Sequence, residues 1–192
     1  AEIDKIIKAD VAVLGDCKSS LSLLTQYVNS ATHTNWLNKF KELDTEEYRE
    51  VQQKELIPDT NKKITMAEVI DALSVKTNGE AIMVTDVGQH QMVAHRYYQY
   101  SSWKSNVTSG GLGTMGFALP AALGAKLAQP NREVIAVIGD GGFQMTIQEL
   151  GTIFQYEIPV KILVLNNEFL GMVRQWQQLF FDKRYASTEL VN

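Results

Sequence analysis

Three runs of the chain are apolar, rich in β-branched residues and free of polar alternation: AIMVTD (81–86), EVIAVIGD (133–140) and VKILVLNN (160–167). A strand without in-out alternation is covered on both faces, as in a parallel sheet between helices. Each run ends in polar residues or glycine and leads into a segment with helical spacing. The pattern predicts an α/β fold: a parallel sheet covered by helices on both faces. That unit opens at TMAE, where Thr65 and Glu68 have the spacing of a capping box.

The first part of the chain reads differently. ADVAVLGDCKSSLSLLTQYVN (9–29) predicts a short strand, a Gly-Asp turn and an amphipathic helix, which would be the tail of a second α/β domain. NWLNKFKELDTEEYREVQQKELI (35–57) is charged and periodic, so an exposed helix is expected there, ended by Pro58. The expected boundaries are 1–30 for the end of the preceding domain, 31–62 for a linker with a helix, and 63–192 for the sheet domain. AEIDK starts without a methionine or a leader and STELVN stops without a helix cap, so both ends are expected to be cuts in a longer chain.

Composition narrows the class. With 45% hydrophobic residues in 192, the chain can bury a real core. A net charge of -4 with scattered Lys and Arg makes no case for nucleic acid. No apolar run reaches the length of a membrane span, so no membrane partner is expected. The single cysteine, Cys17, excludes an internal disulfide, and a cytoplasmic protein is expected.

The candidate chemistry lies where the predicted strands end, the place where parallel sheets bind ligands. GLGTMG (111–116) has the glycine spacing of a dinucleotide-binding turn. The segment before it, YQYSSWKSNVTSG, is polar and aromatic, with no apolar run to serve as the required buried strand. Asp140 and Asn167, at neighbouring strand ends, offer a carboxylate and an amide oxygen, a hard-oxygen set suited to Mg²⁺. The glycines of GDGG let backbone N–H groups approach an anion closely. Read singly, Asp140 could cap its helix and the asparagines could simply turn the chain.

Taken together, GDG, 24 intervening residues and NN resemble the cofactor-binding motif of the thiamine-diphosphate-dependent enzymes. TDVGQHQM, TSGGLGTMG, LPAALGAKLA, GDGGF, PVKILVLNNEFLGMVRQWQQLF and RY, in that order, look like the large, catalytic subunits of the acetolactate (acetohydroxyacid) synthases. AEIDK and GDCKSSL resemble the close of the middle, FAD-binding-type domain of that family, and NNEFLGMVRQWQ its biosynthetic branch.

The resemblance implies decarboxylation of pyruvate and condensation with a second 2-keto acid, giving 2-acetolactate or 2-aceto-2-hydroxybutyrate in branched-chain amino acid biosynthesis. By resemblance, GLGTMG would embrace the aminopyrimidine ring: the Gly113 carbonyl and Met115 N–H would bond it and the Met115 side chain would bend the cofactor. Val87, Gly88, Gln89 and His90 would touch the cofactor, the last two at its diphosphate. Asp140, Asn167 and the Phe169 carbonyl would bind Mg²⁺. Gly141, Gly142, Leu170 and Gly171 would give backbone contacts to the diphosphate, Met172 would line the thiazolium pocket and Trp176 the substrate channel. Gly15, Asp16 and Cys17 would sit near FAD.

The resemblance also implies a homodimer or higher homo-oligomer, a possible small regulatory subunit, and an activating glutamate on a domain that this chain lacks, so that the chain alone would be inactive. Val93 stands where the family often has tryptophan, which loosens the carry-over for residues 93–105. Plainer roles compete: His90 as a surface residue, Trp176 as core, Cys17 as packing. Three other readings compete with the function: another thiamine-diphosphate-dependent decarboxylase or carboligase, a nicotinamide-dependent oxidoreductase using GLGTMG, and a non-catalytic relative that keeps only the fold.

Overall fold

The computed structural model describes residues 2–57 and 63–191. They divide into two compact units, Ala1–Glu47 and Tyr48–Asn192.

The first unit carries two helices, α1 (Cys17–Leu24) and α2 (Thr34–Glu47). Asp16 caps α1 by accepting the Ser19 N–H at 2.9 Å. α2 is exposed, as its charge pattern predicts. The strand expected in 9–16 does not form: residues 11–14 are irregular and exposed. A β-branched run becomes a strand only when a neighbour takes up its N–H and C=O groups. No strand is present among the described residues of this unit.

The second unit opens with a π-helical turn (Tyr48–Gln52) and a short α3 (Gln53–Glu55). Pro58, expected to end this helical stretch, lies outside the described residues. The capping box then starts α4 (Met66–Thr77): the Glu68 N–H donates to Thr65 Oγ1 at 3.1 Å, and the Thr65 N–H donates to Glu68 Oε2 at 2.7 Å. There follow β1 (Ile82–Thr85), α5 (Gln89–Tyr97), β2 (Asn106–Thr108), α6 (Ala118–Ala128), β3 (Val134–Gly139), α7 (Asp140–Met145), α8 (Glu149–Gln155), β4 (Lys161–Leu165) and α9 (Gly171–Phe180). The four strands are parallel, in the order β2-β1-β3-β4.

Strand periodicity assigns the two faces. Ile135 and Val137, with Met83, pack against Ile70 of α4 and Ala94 and Tyr97 of α5. Val134, Ala136 and Ile138, with Ile82 and Val84, pack against Leu119 and Ala122 of α6 and against Leu150 and Ile153 of α8. Each fully buried Val, Ile or Leu contributes about 1.5–3 kcal/mol relative to exposure, and β3 is buried at all six positions.

Two strands depart from expectation. β2 lies within the polar stretch that carries no strand signal; three residues pair with β1 from Met83↔Asn106 to Thr85↔Thr108, and Thr85 Oγ1 donates to Thr108 Oγ1 at 2.9 Å. β4 is only partly covered, with Val164 38% exposed, because it ends the sheet. Parallel strands bring all their carboxyl ends to one rim, where α5, α7 and α9 begin. Among the described residues no helix is long and apolar enough to cross a membrane.

Candidate functional site

Asp86 follows β1 directly and is fully buried. Its carboxylate accepts the N–H groups of Gly116, at 3.1 Å, and Ala118, at 3.2 Å. This decides what GLGTMG can do. A dinucleotide would place its pyrophosphate at the N-terminus of the following helix, and at α6 that position is filled by the protein's own carboxylate. β2 does supply the upstream strand that the sequence did not suggest, so it is Asp86, not a missing strand, that excludes the dinucleotide reading. The loop instead turns through left-handed backbone at Gly113 (φ 63) and Gly116 (φ 80). Met115 Cε lies 3.8 Å from the place a Cβ on Gly141 would take, across the rim.

Gly88 and Gly139 make room for His90: a Cβ on either would stand within 3.0 Å of its ring. His90 is 6% exposed, so it is no surface histidine, and its Nε2 has no hydrogen-bond partner. Burial holds its pKa below the ordinary value, against the pull of the Asp86 and Asp140 charges. Gln89 lies over the start of α9, where a Cβ on Gly171 would fall 2.2 Å from Oε1. Gln89 Nε2 donates to Gln175 Oε1 at 3.1 Å.

Asp140 begins α7 but is not its cap, a place taken by Gly139. One carboxylate oxygen accepts the Gly141 N–H at 3.1 Å; the other reaches across to the Glu168 N–H at 2.8 Å, in the loop after β4. Asn167 Oδ1 accepts the Phe169 N–H at 3.1 Å, so this asparagine does turn the chain. Its amide nitrogen stands 3.5 Å from Gln89 Oε1, which directs the oxygen away from Gln89. The loop thus wraps a carboxylate and an amide oxygen from adjacent strand ends. Among the described residues no three His, Cys, Asp or Glu side chains gather as a metal site. An oxygen pair of this sort fits an ion that completes its shell with water and phosphate, as Mg²⁺ does. The buried imidazole nitrogen of His90, unpartnered beside Asp140 and Asn167 in the same cavity, fits a ligand that brings a hydrogen-bonding group there.

All of the residues that the resemblance assigned to the cofactor line one cavity of about 160 Å³: Val87, Gly88, Gln89, His90, Gly113, Met115, Asp140, Gly141, Gly142, Asn167, Phe169, Leu170, Gly171 and Met172. A larger hollow, about 750 Å³, lies at the opposite rim beside Ala81, Glu133 and Lys161. It is flanked by an exposed Lys161–Glu133 ion pair and lacks converging glycines, so chemistry and not volume picks the site.

Several placements differ from expectation. For Leu170, expected to give a backbone contact to the diphosphate, the N–H donates to Thr188 O at 2.8 Å and the side chain meets Gly141. Trp176 is 58% exposed and lies beside Phe180 with the ring centres 5.0 Å apart and the planes tilted by 50°, so it is neither core nor part of the cavity lining. Gly15, Asp16 and Cys17 belong to the other unit; Asp16 serves as a helix cap and Cys17 is exposed, which removes the packing role. Sequence reasoning left out Met66, Gly139, Leu165 and Val173, which also line the cavity, and Thr188 and Leu190, which pair with the neighbouring loop at Leu170 and Glu168. Leu165 was legible as the last apolar residue of its strand. Nothing local marks Thr188 or Leu190.

Residues 86–192 match the family model described as thiamine pyrophosphate enzyme, C-terminal TPP binding domain. The chain is 47% identical, over 98% of its length, to the acetolactate synthase large subunit of Lactococcus lactis, of which it covers 32%. It is 41% identical, over 97%, to the isozyme 3 large subunit of Escherichia coli, covering 33%. The chain spans about a third of the length of the curated relatives it matches. Among solved structures, the thiamine diphosphate-dependent 4-hydroxybenzoylformate decarboxylase of Rhodococcus jostii RHA1 superposes with a TM-score of 0.62 at 27% identity, over 71% of this chain and 27% of that one. By the domain that covers more than half of it, this chain belongs to the thiamine pyrophosphate enzymes.

Proposed function

We propose that the protein carrying this chain is the catalytic subunit of an acetolactate synthase. It decarboxylates pyruvate and joins the two-carbon unit to a second 2-keto acid, giving 2-acetolactate or 2-aceto-2-hydroxybutyrate for valine and isoleucine synthesis. The observation that carries this reading is the match to acetolactate synthase large subunits along nearly the whole chain.

In this reading Asp140, Asn167 and the Phe169 carbonyl would hold Mg²⁺, which would supply positive charge for an anionic phosphate group. Gln89, His90 and the Gly142 and Gly171 backbone line the diphosphate end. Gly113 and Met115 hold the pyrimidine end, Met115 enforces the bend, and Met172 lines the thiazolium pocket. Bound thiamine diphosphate supplies the electron sink for decarboxylation. The protein's part is to fix orientation and keep water from the reacting carbon. Residues 1–30 close an FAD-binding-type domain, with Gly15, Asp16 and Cys17 on the FAD side; 31–62 link it to the cofactor domain at 63–192. Trp176 walls the substrate channel. The protein is cytoplasmic, works as a homodimer or higher oligomer, and takes a small regulatory subunit. Simple decarboxylation is the second reading, favoured by the likeness to the Rhodococcus enzyme.

Product analysis on the full-length protein decides. Acetolactate should form from pyruvate only with thiamine diphosphate and Mg²⁺, and Asp140→Asn and Asn167→Ala should each weaken cofactor binding on the order of tenfold or more. Aldehyde without acetolactate selects the decarboxylase. Unchanged cofactor affinity in both variants overturns the metal assignment.

A further inference from the structure

After α9 the chain turns back and lies along the loop that carries Asn167 and Phe169. Phe169 and Glu189 form an antiparallel bridge, with the Leu170 N–H donating to Thr188 O and the Leu190 N–H to Glu168 O, both at 2.8 Å. Gln177 of α9 holds both backbone groups of Ala186, donating to its C=O at 3.0 Å and accepting its N–H at 3.1 Å. In this register the flanking residues make the bonds, and the N–H and C=O of the middle residue point away from the partner. The Phe169 N–H accordingly goes to Asn167 Oδ1, and its C=O shares that side. The turn before it is strained: Glu168 sits at φ 63, a conformation that persists only where surrounding contacts over-determine it.

One side chain joins the three segments. The Arg174 guanidinium of α9 lies 4.3 Å from the centre of the Phe169 ring and 4.0 Å from that of Tyr185, at the head of the returning strap. A planar cation between two ring faces is a contact that guanidinium makes better than ammonium.

We propose that Arg174 is a positioning residue for the metal loop: held between Phe169 and Tyr185, it locks the strap against the loop and fixes the Phe169 carbonyl on the side of the Asp140 and Asn167 oxygens. This rests on the reading that those oxygens hold Mg²⁺. Arg174 itself touches neither metal nor cofactor.

The test uses the full-length protein, with Mg²⁺ titrated calorimetrically at saturating thiamine diphosphate and, separately, tryptic cleavage after Lys183 and Arg184 followed without ligands. Arg174→Met and Tyr185→Leu should each weaken Mg²⁺ binding about tenfold and speed cleavage. Arg174→Lys should recover part of the affinity, and the double variant Arg174→Met with Tyr185→Leu should be no worse than the poorer single one, since both remove the same contact. Faster cleavage with unchanged Mg²⁺ affinity would overturn the proposal, as would additive losses in the double variant. A wild-type protein that shows no Mg²⁺-dependent cofactor binding refutes the metal reading itself, before any variant is compared.

Discussion

At the scale of single residues, the site depends on glycines that yield their space to side chains. A Cβ on Gly142 would fall 1.8 Å from Asp86 Oδ2, an atom held by a backbone N–H in a fully buried position. The carboxylate cannot retreat without releasing Gly116 and Ala118. Gly142→Ala should therefore destabilise by about 2–4 kcal/mol, combining overpacking with loss of charge-assisted hydrogen bonds. Thermal denaturation should read this as a drop of about 5–15 °C, and a melting temperature within ~2 °C of wild type would refute it. His90 makes a prediction of opposite character. Its pKa is depressed in the fold by burial, so on acidification the unfolded chain takes up a proton first, near the ordinary imidazole value of 6.5. Its contribution to stability is whole above that pH and is lost as pH falls from 6.5 toward the folded pKa. Melting temperatures measured without ligand should decline across that window, and His90→Gln should flatten the decline; an unaltered slope would assign the titration elsewhere.

At the scale of elements, the helices that start at the carboxyl-end rim of the sheet differ in what they bury. α5 inserts His90, Ala94 and Tyr97 into the interior, whereas α9 has no fully buried residue, although its apolar positions fall on one face. Met172, at the cavity, and Trp176, one turn on, share that face. Because Trp176 is mostly exposed, Trp176→Leu should shift the melting temperature of this chain by no more than ~2 °C, where a buried tryptophan would cost several kcal/mol. In the full-length protein the same variant should alter the ratio of acetolactate to acetohydroxybutyrate and weaken binding of planar aromatic inhibitors, since an indole narrows and stacks. A large loss of stability with unchanged products would place this side chain in packing. The strap after α9 is the complementary case: among its described residues only Thr188 is buried, and it is held by backbone pairing, the Gln177 bonds and the Arg174 stack.

At the scale of the molecule, one rim of one sheet collects the chemistry because every strand runs the same way. That much is written in the sequence. Continuous β-branched runs require cover on both faces, the capping box at Thr65 marks where the unit begins, and GDG with NN after 24 residues ties two strand ends to one kind of ligand. The β-branched runs and the capping box are short-range signals that survive being read one segment at a time, whereas the two halves of the GDG and NN motif are informative only when taken together. What the tertiary structure decided is pairing. β2 exists because β1 offers its edge to three residues without an apolar pattern, while the equally β-branched Val11 to Leu14 form no strand among described residues that offer no partner. Asp86 settles the role of GLGTMG only by crossing to the start of α6, and Thr188 and Leu190 enter the site only by returning to the loop at Glu168 and Leu170. Hydrogen bonds between segments far apart in sequence leave no periodic trace along it, so the cofactor class comes from the resemblance of the motifs, and the fold alone shows which groups hold the cavity in shape.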